Sequence, residues 1–102
     1  MRKKESVYKV VSQIPKGKVT TYGAIAIAVG MKSPRTVGNI LHKNKDPETI
    51  PCHRVINRLG KVAKSYAFGG EEIQRKRLER EGVIFEEGKI DLHEFLWIPR
   101  LD

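Results

Sequence analysis

One side chain in these 102 residues is suited to attack carbon, the single cysteine Cys52. It stands in Ile50-Pro51-Cys52-His53-Arg54-Val55, with a proline fixing the backbone before it, a histidine beside it and an arginine after that. The thiolate is the nucleophilic form, and cationic neighbours favour it. The stretch therefore presents one thiol in an electropositive setting. Ile50, Val55 and Ile56 flank it in the manner of a short buried strand ending at a reactive turn. The competing reading is a small buried apolar residue with no chemistry. The neighbouring proline, histidine and arginine weigh against that reading.

A lone cysteine forms no internal disulfide, which points to a reducing, intracellular setting, expected to be the cytoplasm. No CxxC and no His/Cys cluster is present, so no structural zinc site is expected. The opening Met1-Arg2-Lys3-Lys4-Glu5 leads into an amphipathic segment, and no apolar run approaches spanning length, so neither a signal peptide nor a membrane helix is expected. The length suits one domain over 1–102 with one modest core. Charge says more. The formal net charge is +8, and residues 1–52 hold ten Lys/Arg against three acids, while residues 53–102 hold ten against nine. A basic excess gathered in the front half suggests a polyanionic partner, although a solvated basic face is the simpler alternative.

The elements that must position Cys52 follow from periodicity. Val7, Val10, Val11 and Ile14 predict an amphipathic helix over 5–14, begun by Glu5 or Ser6 and ended by Pro15, with Gly17 in the turn. Thr20 and Thr21 are cap candidates for a second helix over 21–29, with Tyr22, Ile25, Ala26 and Val29 on one face and Gly30 as its stop. Ser33 can cap a third helix, Pro34 suits its first position, and Val37, Ile40 and Leu41 form its buried stripe to about Lys43. Two helices joined by a tight glycine-containing turn match a helix-turn-helix unit. Arg35, Thr36, Asn39 and Lys43 face outward on its second helix, suited to phosphate and base-edge contacts. Gly38 within that helix costs about 1 kcal/mol against alanine, which suggests close backbone approach to DNA or to a neighbouring segment.

Residues 44–51 form a loop to Cys52 that the Asn44 amide could cross-link. Asn57-Arg58-Leu59-Gly60 reads as a turn and 61–70 as irregular. Glu71 to Glu81 predicts a helix with acid-first pairs Glu71/Arg75 and Glu72/Lys76, stopped by Gly82. Residues 83–92 predict a small hairpin, and a helical turn with Phe95, Leu96 and Trp97 closes the core. The fold class is thus mainly α with a small β component, of winged helix-turn-helix type.

Pro51-Cys52-His53-Arg54-Val55, with Arg35-Thr36-Val37-Gly38, Asn44, Tyr66 and Gly69-Gly70, resembles the O6-alkylguanine-DNA alkyltransferases, over roughly 5–97 and in their C-terminal, active-site domain only. The resemblance implies irreversible, single-turnover transfer of an alkyl group from guanine O6 in duplex DNA to Cys52, without a cofactor. It implies that His53 accepts the thiol proton through water and that Glu81 orients His53. Tyr22 would assist flipping and donate to the departing base, Arg35 would fill the gap in the stack, and Asn44 would tie the helix-turn-helix to the active-site loop. Thr21, Thr36, Gly38, Asn39, Lys43 and Arg54 complete the DNA-binding set, reached through the minor groove. Pro51, Val55, Tyr66, Ala67, Gly69 and Gly70 would line the substrate pocket. A monomer is expected.

The chain departs from that pattern at Val62–Gly70, which is about two residues longer than in relatives and lacks their intervening glycines, leaving the range of alkyl groups open. A domain of this size also resembles the alkyltransferase-like proteins, which bind alkylated guanine, typically carry tryptophan in place of the cysteine, and flag lesions for nucleotide excision repair proteins. Cys52 argues against that role. A winged-helix regulator with an incidental cysteine explains the charge and the helices but not the PCHRV stretch.

Overall fold

The computed structural model describes residues 2–63, 66 and 68–100. Helix α1 (Lys3–Ser12) turns Val7, Val10 and Val11 inward. It lies two residues earlier than the periodicity predicts at both ends. Ser6 is buried inside the helix instead of capping it, and its N–H reaches the Arg2 carbonyl. At the far end Pro15 disfavours helical backbone in the residue before it. Gln13 and Ile14 therefore close the helix with tighter bonds to Val10 and Val11, while the Ile14 side chain still packs in the core.

Helices α2 (Tyr22–Val29) and α3 (Pro34–His42) form the expected helix-turn-helix pair. Thr21 caps α2 by accepting from the Ala24 N–H at 3.1 Å, and Gly30 ends it in the left-handed region at φ 72°. Ser33 caps α3 by accepting from the Arg35 N–H at 3.2 Å, with Pro34 at its first position. Ile25, Ala26 and Val29 of α2 meet Val37 and Leu41 of α3 and the valines of α1 in one apolar cluster. Each such buried side chain contributes about 1.5–3 kcal/mol.

Patterning gave no sign of strand β1 (Thr20–Thr21), which pairs in parallel with β2 (Val55–Ile56), Thr20 opposite Val55 and Thr21 opposite Ile56. A two-residue strand carries too little alternation to be seen, and its partner lies 35 positions away in the register. Successive residues of a strand face opposite sides. Val55 accordingly enters the first cluster, while Ile56 joins a second with Val19, Leu78, Val83, Ile90 and Phe95.

Helix α4 (Gly70–Arg80) begins after Gly69 and ends at Glu81. Of its predicted surface pairs, Lys76–Glu72 forms at 3.8 Å, whereas Arg75 pairs with Glu79 at 3.5 Å and lies over the Phe85 ring at 4.9 Å. Strands β3 (Phe85–Glu86) and β4 (Lys89–Ile90) make the expected antiparallel hairpin. Its two turn residues, Glu87 and Gly88, both have positive φ, which suits the right-handed twist of a hairpin. Gly60 takes the Ile90 N–H at 2.9 Å, and a Cβ there would lie 2.6 Å from the Ile90 carbonyl oxygen, so only glycine lets the hairpin dock. Helix α5 (Leu92–Phe95), capped by Asp91, returns the chain to Val19, whose carbonyl accepts from the Trp97 N–H at 2.8 Å. No helix among the described residues is long and apolar enough to cross a membrane.

Candidate active site

Cys52, His53 and Arg54 form a 3-10 turn that feeds directly into β2. The thiol thus lies before the strand, on a turn, and not at the end of a strand as the flanking aliphatics suggest. Asn44 shapes the approach. Its side-chain N–H donates to the Ile50 carbonyl at 2.9 Å, and its Oδ1 accepts from the Asp46 N–H at 2.9 Å. Both ends of one buried amide thus brace the loop that runs from the end of α3 to the site turn.

His53 is 3% exposed, and its Nε2 lies 2.9 Å from Glu81 Oε2. Burial raises the Glu81 pKa, but hydrogen bonds and charge from Arg54 and His53 outweigh it and hold the carboxyl down at about 2. An ionised carboxylate only accepts, so Nε2 carries the imidazole proton. Burial keeps the ring neutral by pushing the His53 pKa down, against the pull of Glu81. Neutral imidazole protonated at Nε2 has a free lone pair at Nδ1. That atom is buried and has no hydrogen-bond partner among the described residues. The site thus contains an oriented base with its accepting nitrogen unspent.

Arg54 corrects the sequence reading. Assigned to DNA there, it instead forks onto Glu81, with Nε to Oε1 at 2.9 Å and Nη2 to Oε2 at 2.7 Å, and Nη1 donates to the Ile14 carbonyl at 2.8 Å. It clamps the segment just after α1, the site turn and the end of α4 together. The electropositive setting expected from the adjacent residues is also revised. Burial pushes the Cys52 thiol up from 9.0, opposed by a hydrogen bond from Asn44 and by the charge of Arg77.

Cys52 lines a cleft of about 560 Å³. Helix α2 supplies Tyr22 to its wall, α3 supplies Pro34, Arg35, Gly38, Asn39, Leu41 and His42, and Ala63 and Tyr66 face them. Burial next to the thiol lifts the Tyr22 phenol to about 12, so it is a hydrogen-bond donor at any physiological pH. A Cβ on Gly38 would stand 3.8 Å from the Tyr22 ring, an ordinary contact, so no neighbouring segment demands glycine there. Thr36 of α3 and Lys43, which caps its C-terminus, are exposed outside the cleft wall, and the Thr21 oxygen serves as the α2 cap. Of the expected pocket residues, Tyr66 reaches the cleft. Val55 is wholly buried in the core, and Pro51 is buried behind the turn. Gly69 and Gly70 start α4 and are not in the cleft wall, and Ala67 lies outside the described residues.

Two residues of α4 escaped the sequence reading. Gln74 is wholly buried, donates to the His53 and Val55 carbonyls at 3.0 and 2.9 Å, and accepts from the Ala63 N–H at 2.8 Å. Arg77 donates to the Tyr66 hydroxyl at 3.1 Å and pairs with Glu48 at 3.4 Å. With Leu78 and Glu81 they occupy i, i+3, i+4 and i+7, one helical face. The mixed polarity of that face hid it, because an apolar stripe was the signal sought.

Residues 2–83 match the family described as 6-O-methylguanine DNA methyltransferase, DNA binding domain. Alkyltransferase-like protein 1 of Schizosaccharomyces pombe is 48% identical over 100 residues, 91% of this chain and 92% of that protein. A methylated-DNA–protein-cysteine methyltransferase of Saccharolobus islandicus is 48% identical over 80 residues, 76% of this chain but 49% of that protein. The crystal structure of S. pombe Atl1 in complex with damaged DNA containing O6-carboxymethylguanine superposes with a TM-score of 0.84 at 40% identity, covering 95% of this chain and 98% of that one.

Proposed function

Because the chain belongs to the 6-O-methylguanine DNA methyltransferase DNA-binding-domain family, we propose that it binds duplex DNA at O6-alkylguanine and moves the alkyl group to Cys52. The observation that carries this reading is the pairing of a cleft-lining thiol with a neutral His53 whose Nε2 is held by Glu81 and whose Nδ1 has no partner among the described residues. Guanine O6 is out of reach inside a duplex, so the nucleotide is rotated out into the cleft between α3 and Tyr66. Arg35 and Asn39 of α3 occupy the groove side of that opening in this reading, which their exposure at the cleft wall supports.

Transfer begins with the Cys52 proton passing through water to His53 Nδ1, and the resulting imidazolium is stabilised by the Glu81 carboxylate. The thiolate sulfur bonds to the alkyl carbon as the carbon–O6 bond breaks, and its electron pair stays on guanine. The Tyr22 hydroxyl donates to the departing base. The S-alkyl product leaves no thiol, so each molecule acts once.

A second reading, lesion recognition without transfer, is favoured by two observations. Burial opposes ionisation of Cys52, and the likeness to Alkyltransferase-like protein 1 runs nearly end to end. Intact mass after mixing with a short duplex containing O6-methylguanine separates them. Transfer adds one methyl group, mapped to Cys52 and absent in Cys52→Ser, which keeps its lesion affinity. Tight, lesion-selective binding with no mass gain establishes the sensor.

A further inference from the structure

We infer that Arg77 of α4, and not the adjacent Arg54, is the cation that holds the Cys52 thiolate for reaction. The inference rests on Cys52 being the alkyl acceptor and adds a positioning residue to that site.

Elimination comes first. The two cationic candidates next to the thiol in sequence are unavailable. Arg54 spends its fork on both Glu81 oxygens and the Ile14 carbonyl. His53 is held neutral in the resting site by burial, and the charge it gains on taking the thiol proton is met by Glu81. The titratable and charged groups facing Cys52 from the surrounding elements are Tyr8 of α1, Tyr22 of α2, Arg35 and His42 of α3, Tyr66, and Arg77 of α4. The phenols are raised above their ordinary value by burial and carry no charge at neutral pH. Arg35 and His42 stand at the exposed edge of the cleft, where water screens them.

Geometry then favours Arg77. Its Nη1 donates to the Tyr66 hydroxyl at 3.1 Å, and Tyr66 is buried in the same cluster as Cys52 and lines the same cleft. That bond fixes the guanidinium behind the wall the thiol faces. Gln74, three positions earlier on the same face, pins the site turn to α4 through the His53 carbonyl. The charge is therefore carried by α4, and the turn that carries the thiol is pinned to that same helix. Its field favours ionisation of both Cys52 and Tyr66 and disfavours protonation of His53. The counter-charge is weak. Glu48 meets Nη2 at 3.4 Å and its side chain is 85% exposed, so Arg77 keeps most of its positive potential toward the cleft.

The test needs no DNA. Iodoacetamide alkylates Cys52 by displacement of iodide by the thiolate, with the thiol proton passing to solvent. The rate is read by intact mass from pH 6.5 to 10. Arg77→Gln should shift the profile alkaline by about half to one pH unit. At pH 7.5 it should slow alkylation about threefold per unit, because lost thiolate is partly offset by a more basic sulfur. Arg77→Lys should recover at least half of the shift. Glu48→Gln, at an exposed position that does not burden the core, should move the profile the other way. Unchanged profiles in Arg77→Gln and Glu48→Gln overturn the inference. If Arg77→Gln does not fold, Arg77→Met, which keeps the packed stem without the charge, is read in its place, and an unmoved profile there overturns the inference. A normal wild-type profile without methyl transfer from O6-methylguanine DNA would refute the proposed function and leave the role of Arg77 standing.

Discussion

Replacing Gln74 with leucine tests whether α4 holds the reactive turn. The side chain is wholly buried and satisfies three backbone groups: the carbonyls of His53 and Val55 and the N–H of Ala63. Leucine has nearly the same volume and none of the hydrogen bonds. His53 and Val55 are buried, so their carbonyls lose a partner where water does not reach, at about 1–3 kcal/mol each. Ala63 is partly exposed, so its N–H can turn to solvent at lower cost. Burial of the leucine methyls returns about 1 kcal/mol. The net loss is about 2–4 kcal/mol, a large share of the roughly 5–15 kcal/mol a domain of this size commands. Urea unfolding at neutral pH measures it, and thermal melting should show a fall in Tm of about 10–25 °C. The second readout is Cys52 alkylation well below the new midpoint, which should change because the turn is no longer anchored. A loss below about 0.5 kcal/mol with unaltered thiol reactivity would refute the assignment of Gln74 as the anchor.

Three further outcomes are expected. Gly38→Ala should stabilise the protein by up to about 1 kcal/mol in urea, since its Cβ meets the Tyr22 ring at an ordinary distance; it should also weaken lesion binding in a fluorescence titration if the bare backbone there faces DNA. Arg35→Ala should lower affinity for an O6-methylguanine duplex by a larger factor than for the undamaged duplex; equal losses would reduce Arg35 to phosphate pairing. Stability should fall with acid in two stages. The folded pKa values of His53 and Glu81 both lie below their ordinary 6.5 and 4.5, so the unfolded chain binds more protons in those windows. The His53 contribution is lost from about pH 6.5 downward and that of Glu81 between about 4.5 and 2, and Glu81→Gln should erase the lower stage of an acid titration followed by circular dichroism.

The helix-turn-helix was legible because its signals are local: Thr21 and Ser33 as caps, Pro34 at the first position, Gly30 as the stop, and apolar spacing within one turn of each residue. The hairpin was legible through Glu87-Gly88 for the same reason. The site was legible only in part. Cys52, His53, Asn44 and Tyr22 announce themselves by type and by resemblance, and Glu81 by resemblance alone. What they do depends on partners far away in sequence. Arg54 looks like a DNA contact until Glu81 and Ile14, 27 and 40 positions off, are brought to it. Gln74 and Arg77 look like surface residues of a charged helix until that helix is laid against the turn. Thr20 and Thr21 show no strand, because the partner that makes them one lies beyond the intervening helices.

The bridge from Val19 to Leu96 and the pairing of Thr20 with Val55 have a consequence for the order in which the chain acquires its chemistry. The three front helices form from near neighbours, whereas loop closure over long stretches is slow. During synthesis Cys52 emerges before Gln74, Arg77 and Glu81, the residues that pin its turn, hold the Tyr66 hydroxyl and orient the His53 ring. Until α4 follows, the nascent chain carries an ordinary, accessible thiol beside an unrestrained histidine. Under the proposed transfer, reactivity toward guanine O6 would be a property switched on by completion of the fold, and a chain stalled short of α4 would have the thiol without the groups that prepare it.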